Sequence, residues 1–453
     1  MHGDGSTSDD VAAAVLAYAA ERIALAPPPL DGPRPAAELT ADAGTTITPT
    51  GIGGIEAMRI FAEVLAPACI SSDHPRMLSF VPAAPTRAAV LFDLVVGASS
   101  IYGGSWMEGA GAIHAENEAL RWIADLAGMP ADAGGVFVSG GTAGNLSALL
   151  VARWRWRHEA DGTHDRTRGL ILASARAHSS IDQAAQAMDA DVRLVPTVDG
   201  RLQGADVAAA IDAMDDEDRD RLFAIVATSG TTNGGLIDDL AGIADACEAS
   251  GAWFHVDGAY GGAALAAPSV RDRFVGIERA DSFIVDPHKW LFAPFDSCAL
   301  LYRTPRFARA AHAQKAAYLD VLHEADDWNA SDYAHHLSRR VRGLPLWFSL
   351  ATHGTDAYRD AIETGLAVAH AGAGRIRELP HLELVVEPEL SIVVFRRIGW
   401  TPEQYRTWSD AQLAAGSSFV VPTTWEGETV LRYCVVNPTT TANDLEAIFD
   451  SLR

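Results

Sequence analysis

Apolar positions recur along this chain first at helical and then at strand spacing. From Ser8 to Leu25 they return every three or four residues behind Ser8 or Asp9 as a capping side chain, which predicts a helix. Pro27-Pro28-Pro29 ends it. A stretch rich in Pro, Ala, Gly and Thr runs on to Gly54 as an extended arm, and a second helix is predicted over Ile55 to Leu65. From about Leu78 short apolar runs alternate with longer helical stretches. The runs are Val136–Val138, Leu170–Leu172, Val192–Val195, Phe223–Ala227, Trp253–Val256, Phe283–Val285 and Cys298–Tyr302. Such alternation predicts an α/β unit with a mostly parallel sheet and helices on both faces. After Pro345 a helix and two further strands, Leu390–Phe395 and Val430–Val436, suggest a small α+β unit. The expected division is an N-terminal helical arm over 1–70, a large α/β domain over 71–345 and a small C-terminal α+β domain over 346–453. The arm has too little core to stand alone, so it should lie on something larger, such as a second subunit.

Composition narrows the classes. The 453 residues are 48% apolar and 21% charged, ordinary for a globular chain, with a formal net charge of −24. Nucleic acid and anionic membrane would repel so acidic a protein. Cys69, Cys247, Cys298 and Cys434 lie far apart with no metal spacing, and buried free thiols in a reducing compartment are expected. MHGDGSTSDD is not a basic-then-apolar leader, and no run of 18 apolar residues occurs. A cytoplasmic setting is expected.

The polar motifs fall where the predicted strands end, the edge at which parallel sheets bind ligands. Lys289 follows Phe283–Val285 in Asp286-Pro287-His288-Lys289-Trp290. An amine among apolar and aromatic neighbours loses its proton more easily and becomes nucleophilic toward an aldehyde. Asp257 ends an apolar run in Phe254-His255-Val256-Asp257-Gly258-Ala259-Tyr260. A carboxylate there can hold a proton on a pyridine nitrogen. Ser139-Gly140-Gly141-Thr142-Ala143-Gly144-Asn145 joins a strand to a helix, and a glycine-rich helix start offers N–H groups to a phosphate, with the Thr142 hydroxyl beside them. It is neither GxGxxG nor GxxxxGK[ST], which weakens nicotinamide and ATP readings. Ala177-His178-Ser179-Ser180 supplies an imidazole able to stack on a ring, and Ala227-Thr228-Ser229-Gly230-Thr231-Thr232 supplies hydroxyls. Each motif alone is weak; together, in this order, they are specific.

In that order the motifs resemble the group II pyridoxal-phosphate (PLP) decarboxylases, the family of the aromatic L-amino-acid, histidine and glutamate decarboxylases. The likeness covers nearly the whole chain and includes HPRMLSFVPAAPT at 74–86, YAHHLSRRVRGLPLWF at 333–348 and LRYCVVNPTTT near the C-terminus. It implies the aspartate aminotransferase-like fold of type I, bound pyridoxal 5′-phosphate and a homodimer with its active site at the interface. By this resemblance Lys289 is the Schiff-base lysine, Asp257 pairs with the pyridine nitrogen, Ala259 packs under the ring and His178 stacks on the other face. Gly141 and Thr142 bind the phosphate, with Asp286 and His288 close by and Thr232 near the cofactor. The family often has Asn at position 286, and an Asp there would face a dianion.

PLP enzymes of this fold transaminate, eliminate or decarboxylate. The resemblance favours decarboxylation, and so does Tyr318, which lies ahead of a polar, irregular stretch, Asp320 to Ser331. In the family a tyrosine here reaches in from the neighbouring subunit and returns a proton to the substrate carbon after CO2 leaves. Relatives with Phe there tend to be oxidative aldehyde synthases. The substrate side chain is expected against Phe80, Ala83, Tyr102 and Gly104, with Met77, Val81 and Gly103 nearby, a mostly apolar, aromatic-walled set that suits an aromatic side chain. Gly104 stands where an aromatic relative has a bulky residue, so the pocket should be enlarged. The alternatives are a decarboxylase of histidine, glutamate, aspartate or diaminobutyrate, an aldehyde synthase, and a catalytically inactive protein that acts by binding.

Overall fold

The computed structural model describes residues 5–159, 167–314 and 327–453. Its larger sheet is formed by β1 (Gly134–Val138), β2 (Leu170–Ser174), β3 (Asp191–Val195), β4 (Leu222–Thr228), β5 (Trp253–Asp257), β6 (Ser282–Val285) and β7 (Cys298–Tyr302), in the order β1-β7-β6-β5-β4-β2-β3. Every neighbouring pair from β6 to β3 runs parallel. β7 runs antiparallel to both β6 and β1, so β1 points the same way as the rest. The expected α/β architecture with a mostly parallel sheet is thus present, with β7 as the reversed strand.

All residues of β2, β4, β5, β6 and β7 are buried, which is why these strands read as apolar runs, interrupted in β5 by His255. Helices Gly141–Glu159, Ser180–Ala187 and Pro305–His312 cover one face through Leu149, Val151, Ile181, Ala184 and Ala308. Helices Trp106–Leu126 and Leu240–Ser250 cover the other through Leu120, Ile123, Ile243 and Cys247.

A second, antiparallel sheet comprises β8 (Leu382–Val386), β9 (Ile392–Arg397), β10 (Pro422–Trp425) and β11 (Glu428–Cys434), in the order β10-β11-β9-β8. Alternation along a strand sends successive side chains to opposite faces. Ile392, Val394 and Val430 accordingly join the core that reaches Leu236, Ile237 and Tyr260 beside the larger sheet. Val393, Phe395, Leu431 and Tyr433 pack on Ile376, Leu445, Ile448 and Phe449 instead. The division expected between residues 345 and 346 falls inside the helix Leu344–His353.

The predicted first helix spans Gly5–Ala24, and none of its residues from Asp9 onward is fully buried. It is tied down by Arg22, whose Nη1 and Nη2 donate to Asp73 Oδ2 and Oδ1 at 3.1 and 2.8 Å. A short helix Ala36–Ala43 interrupts the arm where an extended chain was expected. The next helix, Gly54–Ile60, passes into a π-helical turn over Phe61–Leu65. A cavity of about 1100 Å3 separates the arm from the body and is lined by Tyr18, Phe61, Ala83, Phe292, Phe295 and Tyr358 among others. Among the described residues no helix is long and apolar enough to cross a membrane, and no group of three or more His, Cys, Asp or Glu could hold a metal ion. Cys247, Cys298 and Cys434 are buried as expected, but Cys69 is exposed, at the end of a short 3-10 turn that leaves its side chain outside the core.

Candidate active site

The C-terminal edge of the parallel strands gathers most of the predicted residues. Asp257 is the last residue of β5, and Lys289 lies one short turn beyond β6. That turn, Pro287–Trp290, begins with proline, whose fixed φ suits the first helical position. Trp290 is fully buried and stacks on Tyr260 with centroids 5.4 Å apart, which anchors the turn and fixes where Lys289 emerges.

Lys289 Nζ is 2.9 Å from Asp286 Oδ2, and His288 Nε2 is 3.7 Å from the same oxygen. The expectation of an easily deprotonated lysine is reversed in this state. Burial works against the ammonium, but the Asp286 carboxylate, its hydrogen bond to Nζ and the charge of Asp257 outweigh it and raise the Lys289 pKa. Asp286 is 2% exposed, and its Oδ1 has no hydrogen-bond partner. His288 is held by Ser297, whose N–H reaches its Nδ1 at 3.0 Å, and burial lowers its pKa.

The helix Gly141–Glu159 starts against this group. A Cβ added at Gly141 would lie 3.2 Å from Ala259 Cβ and 3.3 Å from Asp286 Oδ2, and one at Gly144 would lie 2.9 Å from Ile284 Cγ2. The two glycines let the helix start close over β5 and β6 with its first N–H groups free of side-chain cover. Ala259 N–H donates to Asp257 Oδ1 at 3.0 Å, and Ala259 O accepts from Asp286 N–H at 3.0 Å. Lys289, Asp286, Gly141, Ala259 and Asp257 are therefore one contiguous set. His178 joins it from the loop after β2, since its Nδ1 lies 2.9 Å from Ser180 Oγ, and Ser180 in turn accepts from Asn145, a donor to Asp257. Thr142 and Thr232 are exposed, at the start of the helix and in the loop after β4.

The predicted substrate residues are more scattered. Phe80 has a positive φ of 56°, is 60% exposed, and accepts from Arg432 Nη1 through its carbonyl. Ala83 is buried and lines the cavity beneath the arm. Tyr102 donates to Leu337 O at 3.2 Å. The enlargement expected at Gly104 does not follow, because a Cβ there would lie 2.4 Å from the Tyr102 hydroxyl oxygen. The phenol itself takes up the space that a larger residue 104 would occupy. Tyr318 lies outside the described residues.

Sequence reasoning missed two features. Asn145, His255 and Ser282 form a buried polar chain behind Asp257. The signal was present: His255 is a polar residue inside an otherwise apolar strand. Arg432 on β11 is 4% exposed, with Nε and Nη2 lacking partners. An arginine inside LRYCVV carried the same kind of signal.

Pyridoxal phosphate requires an amine for its aldehyde, a carboxylate for its ring nitrogen and N–H donors for its phosphate. The residues present fit it: Lys289, Asp257 and the bare helix start at Gly141 stand together, and a Cβ at Gly141 would fill the cradle. Comparison with known proteins agrees. A model of the pyridoxal-dependent decarboxylase conserved domain matches residues 57–398. The chain is 29% identical over 393 residues to an aromatic-L-amino-acid decarboxylase of Bacillus atrophaeus, covering 84% of this chain and 81% of the relative. It is 31% identical over 390 residues to an L-2,4-diaminobutyrate decarboxylase of Rhizobium meliloti (strain 1021), covering 84% and 77%. The solved structure of Oryza sativa TDC with PLP and tryptamine has the same fold, with a TM-score of 0.91 at 22% identity over 100% of this chain and 98% of that one.

Proposed function

The chain belongs to the pyridoxal-dependent decarboxylase family, and from that premise we propose that its substrate is an aromatic L-amino acid of the tryptophan, tyrosine or phenylalanine kind. It is a PLP-dependent amino-acid decarboxylase, releasing an amine and CO2. The observation that carries the aromatic reading is Phe295. Its ring is 57% exposed and lies 5.0 Å, centroid to centroid, from His288, the neighbour of Lys289. An exposed aromatic ring on His288, the residue next to the reacting lysine in the chain, is best covered by another apolar ring. Phe80, also exposed, supports the same reading.

An acidic side chain would need a free cation. Arg76, Arg339, Arg340 and Arg342 are engaged by Asp444, Glu116, Asp93 and Asp296. Arg432 keeps two unpartnered nitrogens, and this favours a second reading, a substrate with a further carboxylate such as glutamate or aspartate.

When bound, the cofactor supplies an electron sink for the pair left as CO2 departs. In this reading the Lys289 amine holds the cofactor's aldehyde carbon, and Asp257 holds a proton on its ring nitrogen. Ala259 and His178 flank the ring. N–H groups at Gly141 and Thr142 hold the phosphate, with Asp286, His288 and Thr232 nearby. Tyr318, supplied by the partner subunit of a homodimer, returns the proton to the substrate carbon. The dimer is supported by apolar side chains left uncovered on the arm and its neighbour: Val15, Leu16, Phe61, Leu91, Leu94 and Val95. The free thiols of Cys69, Cys247, Cys298 and Cys434 support a cytoplasmic setting.

The test is an amino-acid panel scored for amine and CO2. Tryptophan, tyrosine and phenylalanine should turn over at least tenfold faster, by kcat/KM, than glutamate, aspartate, histidine or diaminobutyrate, a margin of ~1.4 kcal/mol. Preference for an acidic substrate would select the second reading. Tyr318→Phe, assayed in air-saturated buffer, should cut amine output and yield aldehyde, with O2 reduced to hydrogen peroxide and the nitrogen released as ammonia; unchanged amine and no aldehyde would remove Tyr318 from the proton step.

A further inference from the structure

Behind the site runs a chain of hydrogen bonds in which every proton can be placed. Trp253 Nε1–H, which only donates, reaches Ser282 Oγ at 2.8 Å. The Ser282 oxygen keeps a second lone pair, so its contact with His255 Nδ1, also at 2.8 Å, takes its direction from the far end of the chain. There the Asp257 carboxylate only accepts, which turns the Asn145 N–H groups toward it and leaves Asn145 Oδ1 facing His255 Nε2 at 2.8 Å. The proton of neutral His255 therefore sits on Nε2, and Nδ1 accepts from Ser282. The Asn145 amide is thus held at both ends. Its two N–H groups then go to Asp257 Oδ2 and to Ser180 Oγ, both at 2.8 Å. Ser180 passes its hydroxyl hydrogen to His178 Nδ1 at 2.9 Å, and its backbone N–H reaches the same nitrogen at 3.2 Å. The His178 proton is thereby left on Nε2.

The chain is sealed from water. Asn145 is 1% exposed, His255 and Ser282 are 0%, and Ser180 is 1%. Burial pushes the His255 pKa down to about 4, in keeping with the neutral ring that the geometry requires. Reversing the amide would set its oxygen against the Asp257 carboxylate and its nitrogen against the His255 Nε2–H. Two bonds would become repulsions in a medium where unpaired polar groups are costly.

We propose that Asn145 is a positioning residue that binds Asp257 and His178 into one unit, so that the carboxylate meant for the cofactor's ring nitrogen and the imidazole meant for its face are oriented by a single amide. The proposal rests on the assignment of Asp257 and His178 to the two sides of the cofactor. By donating to Oδ2, Asn145 stabilises the carboxylate as an anion and leaves the proton on the ring nitrogen instead of on Asp257. By donating to Ser180 it turns the hydroxyl toward His178 and sets that ring's tautomer.

The test uses holoenzyme loaded with cofactor labelled with 15N in its ring. In the parent enzyme the nitrogen signal should be that of a protonated pyridine across pH 6 to 8. Asn145→Leu should move the signal toward the unprotonated position within that range and lower kcat about 10- to 100-fold, the size of one charge-assisted hydrogen bond, with KM changing far less. Ser180→Ala should lower kcat about tenfold but leave the nitrogen signal at the parent position, because only the His178 branch is cut, and Ser180→Thr should restore the rate. An Asn145→Leu enzyme with the parent signal and parent kcat would overturn the proposal. If that variant does not fold, a Ser180→Ala enzyme with the parent kcat overturns it. Failure of the underlying assignment looks different: the parent enzyme itself would show an unprotonated ring nitrogen.

Discussion

Lys289 and Asp286 show how a carboxylate beside the reacting amine changes what a site must do. The pair stands at 2.9 Å, so the amine is held as an ammonium until the cofactor arrives. The same carboxylate borders the Gly141 turn, where it leaves little room. We expect Gly141→Ala to crowd Ala259 and Asp286 at 3.2 and 3.3 Å, tighter than ordinary contact, and to weaken cofactor binding about tenfold without unfolding the chain. Equilibrium dialysis against pyridoxal phosphate, with circular dichroism as the control, checks this; parent affinity would show that the turn does not carry the phosphate. Lys289, Asp257, His178 and Gly141 were legible in the sequence because each stands at the end of an apolar run. The link from Asn145 to His255 was not, since the two are 110 positions apart and meet only after the helix from Gly141 has packed over β5. The space at Gly104 was misread for the same reason: what fills it, the Tyr102 ring, depends on a side-chain direction that the residue types do not reveal.

Elements were legible in proportion to their burial. β2, β4, β5, β6 and β7 are covered on both faces and announce themselves as apolar runs. β8 and β10 lie at the edges of the smaller sheet with mostly half-exposed residues; β10 opens on Pro422 and has no apolar run, and that of β8 is confined to Leu384–Val386. Helix contacts set by glycine are equally silent. Helix Gly204–Asp212 meets helix Leu240–Ser250 so closely that a Cβ at Gly204 would lie 2.2 Å from the Gly242 carbonyl carbon. Gly374, in the helix Thr355–Glu378, has nothing within 4 Å of the same added atom. Gly204→Ala should therefore cost ~1–3 kcal/mol in urea unfolding. Gly374→Ala should gain ~0.5–1 kcal/mol by helix propensity. Equal effects of the two would mean that the helices do not meet backbone to backbone.

Buried neutral histidines decide how the whole molecule responds to acid. Burial pushes His255, His312 and His336 each down to about 4, against roughly 6.5 in an unfolded chain. Between those values the unfolded state carries protons that the native state refuses, so acid draws the chain toward unfolding. Asp238 acts in the opposite sense. Burial raises its carboxyl to about 7 against the pull of the Leu202 and Thr228 amides, so the native state holds a proton there that an unfolded carboxyl, near 3.8, has already lost. Among these four groups three histidines oppose one carboxylate, leaving a net uptake of about two protons on unfolding; His74 and His288, lowered by burial, add to the first side and Asp281, raised by burial, to the second. Stability should thus rise from pH 4 through 6.5 and level off above pH 7, and on acidification it should fall by roughly 2.7 kcal/mol per unit where both protons are fully engaged. Urea midpoints of the cofactor-free chain at pH 7, 6, 5 and 4.5 measure the slope. His312→Asn should remove about one of the two protons and flatten it by about half. A midpoint that stays level between pH 6 and 4.5 would mean that these histidines are not held neutral inside the fold, and with it the buried polar chain through His255 would lose its fixed direction.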